Sequence, residues 1–299
     1  MAPAHQPERL LRSGTILVGI YRLGRLLGQG GMGMVYLARD LVLERDVAVK
    51  ILRSEYAADP RIAGLFRHEA VAMASVCHIN VVQVYATGVH RGLPFFVMEH
   101  VTGKTVAALV RESYGRGQVV SLGAVSNILH QASLGLTAMG ECNIFHGDVK
   151  PSNMLINAAG HVAISDFGLV GSAKARAAGV EFVVSEPGFV GGTPLYVAPE
   201  LIAGAEVLPE RRHLCDLYSL GASVFEMLTG HGPFVGDTIR DILRGHLFKA
   251  PPRVTDGRPD LPPALDAVVA RALAKNPKQR FQKCCQFSAE VDRLVQLAA

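Results

Sequence analysis

Two patterns near the start of the chain have the residue types and spacing to handle a phosphate. Gly28, Gln29, Gly30, Gly31 and Gly33, with Val35 just behind, give the spacing G-x-G-x-x-G-x-V. Glycines so placed let backbone N–H groups approach phosphate oxygens that a Cβ would hold off. Dinucleotide-binding folds share this spacing with phosphate-covering hairpins, and the two differ in the element behind the glycines. A dinucleotide fingerprint opens a helix, whereas Met34-Val35-Tyr36-Leu37-Ala38 reads as a second strand. A hairpin is therefore expected. The second pattern is Val47-Ala48-Val49-Lys50-Ile51-Leu52. Period two puts Val47, Val49 and Ile51 on one face and Ala48 with Lys50 on the other. A lysine in the middle of such a strand needs a partner. Glu69 falls inside the apolar stripe of the next predicted helix, four residues after Leu65. A carboxylate turned inward there is costly unless paired, so Lys50 and Glu69 are expected to pair, with the ammonium also able to reach a nucleotide phosphate.

The densest cluster is His146-Gly147-Asp148-Val149-Lys150-Pro151-Ser152-Asn153. Asp166-Phe167-Gly168 comes next, then Gly192-Thr193-Pro194-Leu195-Tyr196-Val197-Ala198-Pro199-Glu200. With these motifs in order behind the glycine loop, the sequence resembles the eukaryotic-like (Hanks-type) serine/threonine protein kinases, over roughly residues 20–297. The wording Gly30-Gly31-Met32-Gly33 is most similar to the bacterial branch. The resemblance implies an α+β, bilobal fold that uses ATP and Mg²⁺ to phosphorylate Ser and Thr hydroxyls of protein substrates, its own included. Asp148 would then take the proton of the substrate hydroxyl, and Lys150 would offset charge on the γ-phosphoryl group. Asn153 and Asp166 would hold Mg²⁺, and Lys50, fixed by Glu69, the α- and β-phosphates. Adenine would lie between Val35 and Ala48 on one side and Leu155 on the other, with Met98 as gatekeeper and the backbone of Glu99 and Val101 pairing its edge. Met73, Val84, His146 and Phe167 would stack as a regulatory spine, Glu200 and Arg280 would form a buried ion pair, and Asp216 would support the catalytic loop.

One position departs from the family. Arginine usually stands between the His and Asp of the catalytic loop, and this chain has Gly147. The triplet His-Gly-Asp also occurs in small-molecule phosphotransferases of the same fold. Those lack the lysine two residues after the aspartate and the Gly-Thr-Pro…Ala-Pro-Glu segment, both present here. A nucleotide-binding pseudokinase or scaffold is the other alternative; retention of Lys50, Glu69, Asp148, Asn153 and Asp166 argues against it. Serine/threonine rather than tyrosine specificity rests on Lys150 with Thr193-Pro194. Glycine cannot capture a phosphate as arginine does, so activity is expected without phosphorylation at Ser172, Ser185, Thr193 or Tyr196. Arg67 and Lys174 are the substitutes that could provide such a contact.

The elements that must position these residues are read from periodicity. Strands are expected at Tyr21 to Leu27, Met34 to Ala38, Val47 to Leu52, Val81 to Ala86 and Pro94 to Met98. A helix starts at Asp59-Pro60 with Ile62, Leu65, Phe66, Met73 and Val76 on one stripe. Beyond residue 104 the pattern turns helical, at 121–141, 214–229, 263–273 and 284–297. Residues 1–15 read as an N-terminal extension and 16–299 as the kinase domain, with a β-rich lobe over about 16–101 and an α-rich lobe over about 102–299. Residues 250–263, with five prolines, read as a surface connection. Composition agrees with a globular chain: 49% hydrophobic and 19% charged residues rule out disorder or coiled coil as a whole. A net charge of +4 is too mild to call for a nucleic-acid or membrane partner. The five cysteines form no C-x-x-C pair and none of the eleven histidines has zinc-ligand spacing; a cytoplasmic location is expected. The charge-free stretch from Gly117 to Gly140 carries too many polar residues for lipid, so no membrane span is expected. The sequence carries no reading of the oligomeric state.

Overall fold

In the computed structural model, which describes residues 11–167 and 194–298, the β-branched and aromatic runs of the first hundred positions form one antiparallel sheet. Its strands are β1 (Ile16–Leu17), β2 (Tyr21–Gln29), β3 (Gly33–Asp40), β4 (Arg45–Leu52), β5 (Val84–His90) and β6 (Leu93–Glu99), in the order β1-β2-β3-β4-β6-β5. The period-two reading of β4 holds. Val47, Val49 and Ile51 join Leu23, Tyr36, Phe95 and Val97 in the core, while on the ladder Lys50 stands between Val35 and Phe96. A short helix α1 (Ser54–Ala57) precedes α2 (Pro60–Ala74). Asp59 caps α2 by accepting from Arg61 N at 2.9 Å, and Pro60 occupies its first turn. Leu65, Phe66, Ala70 and Met73 are buried along it, as is Glu69. Val76 is buried beyond its end.

The strand expected from Val81 begins three residues later, at Val84. Val81 instead forms a parallel bridge with Ile164. The described residues accordingly fall into two compact units: one takes those up to Cys77 and Val82–His100, the other His78–Val81 and the described residues from Val101 on. Leu11, placed by the sequence in an extension, already packs against the sheet core, and Gly14 N donates to Leu23 O at 2.7 Å.

The second unit contains a small antiparallel sheet, β7 (Lys104–Thr105), β8 (Met154–Ile156) and β9 (Val162–Ile164), with β8 in the middle. Its α-helices among the described residues are α3 (Val106–Gly115), α4 (Leu122–Glu141), α5 (Pro199–Ile202), α6 (His213–Thr229), α7 (Ile239–Phe248), α8 (Ala264–Ala272) and α9 (Cys284–Ala298). The four helices read from periodicity are present to within a residue or so; α1, α3, α5 and α7 were not anticipated. Val125, Leu129, Ala132, Leu136 and Met139 of α4 are buried, and Ser133 Oγ donates to Cys284 O of α9 at 3.3 Å. No helix among the described residues is long and apolar enough to cross a membrane. The proline-rich connection is not a surface loop throughout. Val254, Arg258 and Leu261 are buried, because Arg258 Nη1 turns inward to Leu228 O at 2.9 Å and Val120 O at 3.2 Å while Asp260 pairs with its outer edge.

Glu200 and Arg280 meet as the sequence suggests. Two parallel bonds of 2.8 Å join guanidinium to carboxylate, and the remaining N–H groups go to Ala274 O, Leu214 O and Lys275 O. A buried guanidinium so fully bonded holds α5, α6 and the turn before α9 together. Arg280→Met is expected to cost about 3–5 kcal/mol by leaving the largely buried Glu200 carboxylate without its counter-ion. Arg293→Met, which breaks the exposed pair with Glu290, should cost under about 1 kcal/mol; denaturant midpoints measure both.

His246 of α7 is fully buried, 2.9 Å from the Tyr218 hydroxyl. Burial, helped by the Lys275 ammonium, pushes its pKa down to about 3 from 6.5. The unfolded chain takes up this proton below pH 6.5 and the folded chain does not until about pH 3. The contribution is therefore complete above pH 6.5 and lost as pH falls through that window. Between pH 7 and pH 5 the stability advantage over His246→Gln should shrink by about 2 kcal/mol. Other groups, such as Asp216, cancel in that difference, and an advantage constant with pH would contradict it.

Candidate active site

The glycine loop is the turn of the β2–β3 hairpin. Gly28 lies opposite Val35 and Gln29 opposite Met34, and Gly30 N closes the turn onto Gly33 O at 2.9 Å. A strand, not a helix, comes after the turn, which removes the dinucleotide-fold reading. Packing within the chain demands a glycine only at Gly33, where a Cβ would press on Ile51 O at 3.0 Å. At Gly28 and Gly31 a Cβ would meet no atom within 4 Å. The space over these two backbones is thus kept open by sequence rather than required by the fold.

Lys50 and Glu69 pair at 2.8 Å, with the carboxylate side chain 2% exposed. The Lys50 ammonium also lies 5.6 Å from the centroid of the Phe96 ring. α2 therefore delivers its one buried acid to β4, and separate solvation of the two groups is excluded. Ala48 and Met98 are buried beside each other on adjacent strands. Glu99 ends β6 and spends its N–H on Gln83 O at 2.8 Å. Val101 and Leu155 lie in the second unit and are partly buried.

In that second unit the catalytic-loop motif folds around a buried imidazole. Asp148 N donates to His146 Nδ1 at 3.1 Å, so the proton sits on Nε2, which donates to Ser165 O at 3.1 Å. Burial holds the His146 pKa below its ordinary value, in keeping with this neutral form. The backbone N–H groups of His146 and Gly147 both donate to Asp216, each at 2.9 Å, one to each oxygen. Gly147 adopts φ +77°, a left-handed conformation that suits glycine. Lys150 Nζ lies 2.5 Å and Asn153 Nδ2 3.2 Å from the same oxygen of Asp148, Oδ2. Asn153 Nδ2 also donates to the Asp148 carbonyl at 2.9 Å and to that of Asp166 at 3.3 Å. Asp166 follows β9 with φ +57°, a strained conformation for a non-glycine residue, costing on the order of 1–3 kcal/mol.

The His146 and Phe167 rings pack against each other in the second unit, tilted by 49° with centroids 5.3 Å apart, and Met73 and Val84 are buried in the first. Tyr196 is buried with its hydroxyl bonded to Glu226, so it is a packing residue rather than a phosphate acceptor. Gly168, Ser172, Lys174, Ser185, Gly192 and Thr193 lie outside the described residues. Two residues of the site escaped the sequence reading. The carboxamides of Asn80 and Gln131 bind β9, the strand leading to Asp166. The sequence offered a signal for Gln131, which with Asn127 four residues before it makes up the two amides of α4.

Residues 21–289 match the protein kinase domain family. Serine/threonine-protein kinase PknB of Mycolicibacterium smegmatis is 39% identical over 92% of this chain and 43% of its own length. PrkC of Bacillus subtilis is 31% identical over 93% of the chain and 41% of its own length. The chain thus spans less than half of these relatives. A crystal structure of the Mycobacterium tuberculosis PknI kinase domain superposes with a TM-score of 0.73 at 27% identity, covering 96% of this chain and 100% of that one. With its hairpin, ion pair and catalytic loop in the family's order, the chain belongs to the protein kinase family, in the bacterial branch of Hanks-type serine/threonine kinases.

Proposed function

We propose that this chain is an active serine/threonine protein kinase that moves the γ-phosphoryl group of ATP to Ser and Thr hydroxyls of proteins, including its own. The observation that carries the reading is the Asp148 carboxylate, gripped on Oδ2 by Lys150 and Asn153 in a loop anchored by Asp216. That grip leaves Oδ1 to orient a substrate hydroxyl and accept its proton. The Lys150 ammonium, beside that carboxylate, offsets charge gathering on the transferred group. The ammonium of Lys50, aimed by Glu69, takes the α- and β-phosphates, and the open backbones of Gly28 and Gly31 admit phosphate oxygens. Gln29, Gly30 and Gly33 shape the same turn. Val35, Ala48, Met98, Glu99, Val101 and Leu155 are assigned to the adenine.

Asn153 and Asp166 fit a hard divalent cation. Both offer oxygen ligands, and Asn153 turns its NH₂ toward Asp148 and Asp166 O, which points its amide oxygen the other way. Bound Mg²⁺ would neutralise phosphate charge. The five cysteines are free thiols, in keeping with a cytoplasmic domain, and the substrates are proteins rather than small molecules on the strength of the Pro194–Glu200 segment.

Purified protein with radiolabelled ATP, Mg²⁺ and a generic protein substrate tests the proposal. Asp148→Asn should keep its fold and nucleotide affinity and lose nearly all transfer, since the carboxylate goes and the volume stays. Transfer near the wild-type rate in this variant would contradict the mechanism, and nucleotide binding without transfer in the unaltered chain would favour a scaffold.

Gly147 offers no guanidinium to a phosphorylated segment. Full dephosphorylation, and a Ser172→Ala/Ser185→Ala double variant, should each lower the initial rate by less than about tenfold. A loss of about a hundredfold in both, about 2.7 kcal/mol of transition-state stabilisation, would show that phosphorylation is required.

A further inference from the structure

We propose that Gln131 and Asn80 are positioning residues that hold Asp166 in its metal-binding conformation and so set the affinity for the divalent cation. This rests on the assignment of Asp166 as a metal ligand. Gln131, on α4, uses its whole hydrogen-bonding capacity. Its Oε1 accepts from Val162 N at 2.8 Å and from Asn80 Nδ2 at 3.0 Å. Its Nε2 donates to Gly160 O at 2.8 Å and to Asn127 Oδ1 at 3.0 Å. Asn80, buried, donates from Nδ2 to Val162 O at 2.7 Å and accepts at its own carbonyl from Ile164 N, at 2.9 Å.

The bonds at Val162 and Ile164 fall on β9, whose other edge is paired with β8. The clamp continues to the aspartate: Ser165 N donates to Asn153 O at 2.9 Å, and Asn153 Nδ2 reaches Asp166 O. Such fixation has a physical purpose, because Asp166 sits at φ +57° and a strained backbone persists only where its surroundings over-determine it. Gly135, one turn along α4 from Gln131, makes the approach possible. A Cβ there would lie 2.7 Å from Asn80 O. Residues that orient a metal ligand without touching the metal commonly change its affinity by an order of magnitude when removed.

The test titrates Mg²⁺ calorimetrically into protein saturated with a non-hydrolysable ATP analogue, and follows amide hydrogen exchange at Ser165 and Asp166. Gln131→Met and Asn80→Leu should each weaken Mg²⁺ binding by about tenfold or more and speed exchange at both amides. Val269→Ala, a buried truncation on α8, is the control for lost stability and should do neither. Mg²⁺ affinity within about twofold of the unaltered chain, or equal weakening in the control, would overturn the proposal. Should both variants fail to fold, Asn127→Ala, on the exposed side of the relay, should weaken binding in the same direction, and no change there would overturn it too. If the unaltered chain binds no Mg²⁺ with the nucleotide, the assignment of Asp166 fails by itself. The exchange rates then decide the clamp: faster exchange than in Val269→Ala supports it, and equal exchange overturns it.

Discussion

Two backbone amides, those of His146 and Gly147, point at one buried carboxylate, and the geometry of the catalytic loop descends from that choice. Burial pushes the Asp216 pKa up to about 7, so the charged form needs both N–H donors to offset the loss of water. Each donor has its own oxygen. With the two amides fixed, the His146 ring has one orientation that serves both Asp148 N and Ser165 O. Asp148 therefore leaves the loop toward Lys150 and Asn153, and Ser165 is tied to the same imidazole. A carboxylate on α6 thus sets the direction of an acid, Asp148, that lies far earlier in the chain, although it touches none of the proposed reacting groups.

Much of this was legible from the sequence because the chemistry is contiguous. The motif from His146 to Asn153 lies within eight residues, so its identity carries its geometry. Lys50 and Glu69 could be paired because each violated a periodicity, the lysine in a strand and the glutamate in an apolar helical stripe. The long helices α4, α6 and α9 declared themselves by stripes of three or more turns. The strands β7, β8 and β9 did not, for two or three residues cannot display a period. α3 and α7, each ten residues long, show too few turns for a stripe to stand out, although Thr105 and Thr238 cap them.

Where the reading went astray, long-range polar contacts were responsible. Val81 and Val82 look like the start of a strand, yet Asn80 draws the first of them to β9 through bonds to residues 51 and 82 positions away. The proline-rich connection looks like a solvated loop, yet Arg258 carries it inward to the carbonyls of Val120 and Leu228. In both places one side chain with several donors satisfies distant backbone carbonyls, and local composition holds no trace of that.

The visit of residues His78–Val81 to the second unit has a consequence for anyone wishing to cut the molecule in two. The chain passes from one unit to the other at Cys77, returns at Val82, and leaves again at His100. A fragment ending at His100 would carry Asn80 without the hydrogen-bonding partners that remain on the other piece, its carboxamide stripped of Gln131 and Val162 and its backbone carbonyl of Ile164 N. The complementary fragment would keep β9 with one edge bare, an open template for pairing with another chain. No single break in the backbone yields two self-sufficient pieces, so split reporters, circular permutants and fragment-complementation schemes built on this scaffold need their junctions within a unit.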